Sequence, residues 1–129
     1  MQPITILLVE DNESLRRVYK THLEVAGFSV MEAENAHKAQ VALEENPISL
    51  LLLDIMLPDK SGLELLQTVR ENEKFARLPV IMLTSLTEEV AFDKAKNLSI
   101  DGYLVKDKTM PGQLVSRIKL ALKEHNLIT

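Results

Sequence analysis

Continuous apolar runs alternate along the chain with stretches whose apolar residues recur at helical spacing, and the alternation repeats five times. The runs are ITILLVE (4–10), FSVMEA (28–33), LLLLD (50–54), VIMLT (80–84) and GYLVK (102–106). The first, third and fourth lack polar alternation, which predicts central parallel strands covered on both faces. FSVMEA is interrupted by Ser29 and Glu32 and fits an edge strand better. Between the runs, Leu15, Val18, Tyr19, Leu23 and Ala26 share one helical face, and Gly27 follows as a stop. Ala36, Ala39 and Leu43 make a shorter stripe that Asn46–Pro47 breaks. Ser61 and Glu64 have the spacing of a capping box, with Leu65, Leu66 and Val69 as the inward face behind it. Val90, Ala91, Ala95 and Leu98 form a thin fourth stripe. Pro111 opens a fifth, carrying Leu114, Val115, Ile118, Ala121 and Leu122.

The pattern predicts one α/β domain over residues 1–129, a doubly wound (βα)5 unit with a five-stranded parallel sheet and right-handed crossovers. In such sheets ligands bind beyond the carboxyl ends of the strands. Composition narrows the chemistry. With no cysteine, disulfides, thiolate metal sites and a cysteine nucleophile are excluded. A net charge of −4 argues against direct nucleic-acid binding, which usually needs a basic excess. No apolar run approaches the roughly 20 residues needed to span a bilayer, and no leader pattern opens the chain, so no membrane contact and a cytoplasmic location are expected.

The strand ends carry the informative residues: Glu10 and Asp11 after the first run, Asp54 after the third, Thr84–Ser85 after the fourth and Lys106 after the fifth. Parallel strands would bring them to one edge. Three carboxylates in one pocket repel each other, and a divalent cation that prefers oxygen relieves the repulsion. Mg2+ fits, because it takes one or two carboxylates together with waters and phosphate oxygens. A carboxylate beside such a cation can attack phosphorus to give an acyl phosphate. The transferred group's equatorial oxygens then need partners: the metal for one, the Thr84 hydroxyl for a second and the Lys106 ammonium for a third. Asp54, ending a run of four leucines, is placed to accept the group. Taken singly, Asp11 and Asp54 suit helix caps or turns, Thr84 suits a strand and Lys106 suits solvent. Jointly they are chemically complete. His22, His37 and His125 share no spacing and read as structural, while Asp59 and Lys60 read as solvated loop residues.

LLVEDN, LLLDIMLPDKSG, VIMLTS and GYLVK, in this order and spacing, closely resemble the receiver domains of two-component response regulators over essentially the entire chain. The resemblance implies the flavodoxin-like strand order 2-1-3-4-5. It implies Asp54 as phosphoacceptor, direct Mg2+ ligation by Asp11, Asp54 and the Met56 carbonyl, and Glu10 acting mainly through water. Thr84 and Lys106 match the switch hydroxyl and the phosphate-binding lysine. Tyr103 matches an aromatic whose rotamer is linked to activation. The implied partners are a histidine kinase or phosphotransfer protein, and a protein target met through the fourth helix, fifth strand and fifth helix. A phosphorylation-dependent homodimer and a relay role stay open.

Several positions depart from the family pattern. Asp107 stands where much of the family has Pro, often after a cis bond, so a trans bond with a shifted loop or a strained bond is expected. Ser99 stands where many relatives have Gly, and Asn97 is the better candidate for a left-handed residue there. Met56 and Leu86, two residues after Asp54 and Thr84, are apolar and unable to orient a water, which predicts a long-lived phosphoryl group. A phosphatase or phosphotransferase of the aspartyl-phosphate type is disfavoured, because Met56 replaces the usual second acid. Nucleotide-binding glycine motifs are missing. A scaffold that had lost phosphorylation would lack some acids or the lysine, and this chain keeps them. No output domain is visible, and a stand-alone regulator acting directly on partners is the favoured expectation.

Overall fold

The computed structural model describes residues 3–129. Five strands, β1 (Thr5–Val9), β2 (Ser29–Ala33), β3 (Leu50–Leu53), β4 (Val80–Thr84) and β5 (Gly102–Val105), alternate with five helices. These are α1 (Glu13–Val25), α2 (Ala36–Glu45), α3 (Gly62–Glu71), α4 (Glu89–Lys96) and α5 (Pro111–Glu124). The strands are all parallel in the order β2-β1-β3-β4-β5, so the doubly wound expectation holds.

Strand alternation sorts the core into two layers. Leu7, Val9, Leu51, Leu53, Val80 and Met82 face α2, α3 and α4. Ile6, Leu8, Leu50, Leu52, Ile81 and Leu83 face α1 and α5. Both faces are apolar because both are covered, which is why the central runs show no alternation. β2 and β5 form the edges.

Helix ends follow their sequence signals closely. Asn12 and Asn35 cap α1 and α2 by accepting from the Leu15 and Lys38 N–H groups. Gly27, at φ 100°, ends α1 in a Schellman turn in which Phe28 N–H donates to the Leu23 carbonyl and Gly27 N–H to that of Glu24. Pro111 stands in the first turn of α5. Ser61 caps α3 by accepting from Leu63 N–H, rather than from the N–H of Glu64 that a full capping box uses.

Three expectations are corrected. Leu15 and Val18 do not face inward but lie exposed on α1, whose one fully buried residue is Leu23. At about 100° per residue, Val18 sits about 140° around the helix from Leu23. On α4 only Ala91 and Ala95 are buried, and Val90 points to solvent. The left-handed residue after α4 is Ser99 (φ 60°), not Asn97 (φ −68°). The Arg70 guanidinium donates to the carbonyls of Leu98 at 2.8 Å and Ser99 at 3.0 Å, fixing the turn two residues further on. The Lys106–Asp107 bond is trans, and the chain leaves β5 through a 3-10 turn, Lys106–Lys108.

Candidate functional site

Order reversal in the sheet places the switch point between β1 and β3, where adjacent strand ends leave a crevice. The backbone holds both strand ends tightly. Asp54 N–H donates to the Val9 carbonyl at 3.2 Å, and Glu10 N–H to that of Ala33 at 3.0 Å. Gly62, the first residue of α3, packs so closely on the chain after Asp54 that a Cβ would collide with the Asp54 carbonyl oxygen. Its N–H donates to the Ile55 carbonyl at 2.8 Å. The nine-residue span from Asp54 to Gly62 is thus a closed loop that holds Asp54 in place.

The predicted acids come together. One carboxylate oxygen from each of Glu10, Asp11 and Asp54 lies within 4.8 Å of the others. Glu10 and Asp54 are almost fully buried, at 2% and 3% exposure, while Asp11 is exposed at the mouth. The Lys106 ammonium reaches in from the end of β5, 2.7 Å from Asp54 Oδ2 and 2.5 Å from Glu10 Oε1. The remaining oxygens are also engaged, Glu10 Oε2 by Asn12 N–H at 3.1 Å and Asp54 Oδ1 by Met56 N–H at 3.2 Å. Burial pushes the Glu10 carboxyl above its usual range, against the opposing pull of Lys106 and Asn12. For Lys106, burial acts to lower the pKa, but the hydrogen bonds and charges of Asp54 and Glu10 outweigh it and the net shift is upward. One ammonium therefore stands against three carboxylates. The donor set is oxygen only, which suits a hard cation of the Mg2+ type.

A cleft of about 540 Å³, lined by Asp11, Ile55, Met56, Leu57, Pro58 and Ser61, opens beside the acids. A larger groove of about 790 Å³ lies between α3 and α4, away from the three acids. Chemistry, not size, marks the site. Met56 is 56% exposed at the cleft mouth.

Thr84 is fully buried at the end of β4, its hydroxyl oxygen accepting from Leu86 N–H at 3.4 Å. Tyr103, half-buried, donates its hydroxyl to the Leu86 carbonyl at 2.9 Å. Thr84 and Tyr103 therefore meet on opposite sides of one loop, between β4 and α4.

Some participants escaped the sequence reading. Phe92 of α4 packs edge-on against Tyr103, with ring centroids 5.3 Å apart. Asp59 is not a merely solvated residue. Its two oxygens accept from Ala36 N–H at 2.9 Å and His37 N–H at 3.0 Å, so the loop after Asp54 caps α2 from a distance. Those N–H groups hold the Asp59 carboxyl below its usual range. Arg16 of α1 donates to the Glu10 carbonyl at 2.8 Å and to Glu32 on β2 at 3.2 Å. None of these contacts has a sequence-local signal, except that Arg16 sits one turn after the Asn12 cap.

Comparison with known proteins points the same way. Residues 6–119 match the model of the response regulator receiver domain. The chain is 36% identical over 119 residues to the phosphate regulon transcriptional regulatory protein PhoB of Pseudomonas aeruginosa, covering 92% of this chain and 52% of PhoB. It spans about half the length of the curated relatives it matches. A CheY-like response regulator receiver domain protein from Methanospirillum hungatei superposes with a TM-score of 0.91 at 29% identity, covering 97% of this chain and 98% of that one. The Mn(2+)-bound response regulator Rcp1 gives 0.81 at 26% identity, covering 98% of each chain.

Proposed function

The chain belongs to the family of response regulator receiver domains, and from that premise we propose that it is a phosphorylation-controlled signalling switch whose phosphoacceptor is Asp54. The observation that carries this reading is the buried Asp54 carboxylate, gathered with Glu10 and Asp11 within 4.8 Å and met by Lys106 at 2.7 Å. Burying two of three clustered carboxylates is costly unless cations offset their charge, and a cation together with Lys106 would do so.

An Asp54 oxygen attacks the phosphorus of a phosphohistidine on a histidine kinase or phosphotransfer protein. The new O–P bond forms as the P–N bond breaks, and the electron pair leaves with the imidazole. Asp11, Asp54 and the Met56 carbonyl would hold Mg2+, with Glu10 acting mainly through water. Bound there, the ion would supply the positive charge that lets the acids and the phosphoryl oxygens share one pocket. Lys106 keeps its place at the pocket and trades a carboxylate oxygen for a phosphoryl oxygen. Thr84 turns its hydroxyl from Leu86 N–H toward the phosphoryl group. Because Tyr103 and Thr84 grip the same loop, that turn biases the packing of Tyr103, Phe92 and α4. A downstream protein target reads the change through the α4–β5–α5 face. The chain catalyses only its own phosphorylation and dephosphorylation.

Residues 1–129 act as one receiver unit, in a cytoplasmic setting and without direct nucleic-acid contact. Among the described residues no helix is long and apolar enough to cross a membrane. The decisive test is incubation with acetyl phosphate and Mg2+, read by intact mass. One phosphoryl group is expected on the unaltered protein, and none on Asp54→Asn or without the metal. Phosphorylation of Asp54→Asn to the same extent would move the acceptor elsewhere.

A further inference from the structure

We infer that Arg16 is a positioning residue for the divalent-cation site, acting through the backbone carbonyl of Glu10. The inference rests on reading Glu10, Asp11 and Asp54 as a Mg2+ site. Arg16 approaches the turn that carries Glu10 and Asp11. Yet its guanidinium donates from Nη1 to the Glu10 carbonyl at 2.8 Å, not to a carboxylate of the cluster. Its Nε donates to Glu32 Oε1 at 3.2 Å, and Lys20 donates to the other oxygen of Glu32 at the same distance. The Arg16 side chain is only 14% exposed, so its planar fork is held between α1, β2 and the end of β1.

The consequence lies in the peptide between Glu10 and Asp11. That carbonyl lies between a buried acid, Glu10, and an exposed one, Asp11. On one side Glu10 N–H is tied to Ala33; on the other, Asn12 N–H is tied to the Glu10 carboxylate. The Arg16 bond holds the Glu10 carbonyl between them. With the carbonyl locked, the directions of the Glu10 and Asp11 side chains are set before any cation arrives. Outer partners that orient ligands in this way typically change metal affinity by about 10- to 100-fold.

Charge alone predicts the reverse. A guanidinium beside the cluster repels a divalent cation, so removing it by electrostatics alone tightens binding. The sign of the change therefore separates positioning from simple charge. The experiment is calorimetric titration of the whole chain with Mg2+, each variant in the same buffer as the unaltered protein. Arg16→Met keeps the aliphatic stem and drops the donors, and its Mg2+ dissociation constant is expected to rise about tenfold. Arg16→Lys, which can still donate to the Glu10 carbonyl, is expected to recover most of that loss. Arg16→Leu, which likewise drops both the donors and the charge, serves if Arg16→Met does not fold, with a rise in the same direction expected. Unchanged or tighter binding by the folded Arg16→Met protein, with only its melting temperature lowered, overturns the inference and leaves the site reading intact. Failure of the unaltered protein to bind Mg2+ overturns the site reading and this inference with it.

Discussion

Helices α3 and α4 pack on the same face of the sheet, and they are held in opposite ways. α3 buries Leu65, Leu66 and Val69, takes a side-chain cap from Ser61, and starts at Gly62 in backbone contact with the Asp54 loop. α4 buries two alanines, has Glu88 at its N-cap with no side-chain cap bond, and leaves Val90 largely and Phe92 partly in solvent. Its C-terminal end alone is stapled, by Arg70 reaching across from α3. The acids at the ends of β1 and β3 are thus mounted on fixed supports, while Thr84 and Tyr103 adjoin the element that is cheapest to move. A receiver needs both, since chemistry requires preorganised groups and signalling requires a bistable one.

The largest expected effect tests this contrast directly. Leu66→Ala should destabilise the fold by about 2–5 kcal/mol, because truncating a fully buried side chain leaves a cavity in the core. Ala95→Gly on α4 should cost only about 1 kcal/mol, chiefly helix propensity. Chemical denaturation of the two variants measures both. Equal losses would mean that α4 is anchored as firmly as α3, and the contrast would fail.

A second prediction concerns the lifetime of the phosphoryl group. Met56 lies on the α3 side of the site and Leu86 on the α4 side, and neither can hydrogen-bond a water. Met56→Asn should speed loss of the group on the order of tenfold, equal to about 1.4 kcal/mol in barrier. Met56 is exposed, so the fold should not suffer. Leu86→Glu should accelerate the loss too, but with lower stability, since Leu86 is half-buried against the core. The time course of phosphoprotein decay by intact mass reads both. If neither variant decays faster, water access is controlled elsewhere.

Fold and site differ in how much of each was legible in the chain. The five strands, Gly27, Pro111 and the inward face of α3 follow from apolar runs and turn residues, which are local signals, whereas the strand order came only with the family resemblance. The acids, Thr84 and Lys106 were found because each closes a strand, and parallel topology gathers strand ends. The outward faces of Leu15 and Val18 were misread because several apolar residues on α1 allow more than one rotation, and only tertiary packing chooses Leu23. Ser99 was missed because its conformation is imposed by Arg70, far away in sequence. Arg16, Asp59 and Phe92 act through long-range contacts on backbone groups or rings, for which no spacing rule exists.

The smallest effect is also the sharpest test of where α4 is loose. Glu88 occupies the N-cap with extended backbone, φ −66° and ψ 134°, but its side chain makes no cap bond. Glu88→Asp keeps the negative charge that the helix N-terminus favours, and shortens the side chain to one that caps well. A gain of about 0.5–1 kcal/mol is expected, read as a higher melting temperature. The gain should be local, with slower amide exchange at Val90 and Ala91, the N–H groups that a cap satisfies, and unchanged exchange in α3. Closing this end raises the free energy of whatever arrangement Thr84 selects when it turns toward the phosphoryl group, provided that arrangement frees the start of α4. A capped variant that phosphorylates normally but releases its inactive arrangement less readily would place the moving part at the N-terminal end of α4. Exchange slowed equally along the whole helix would instead mean that α4 moves as a unit, and that the Arg70 staple does not act as a pivot.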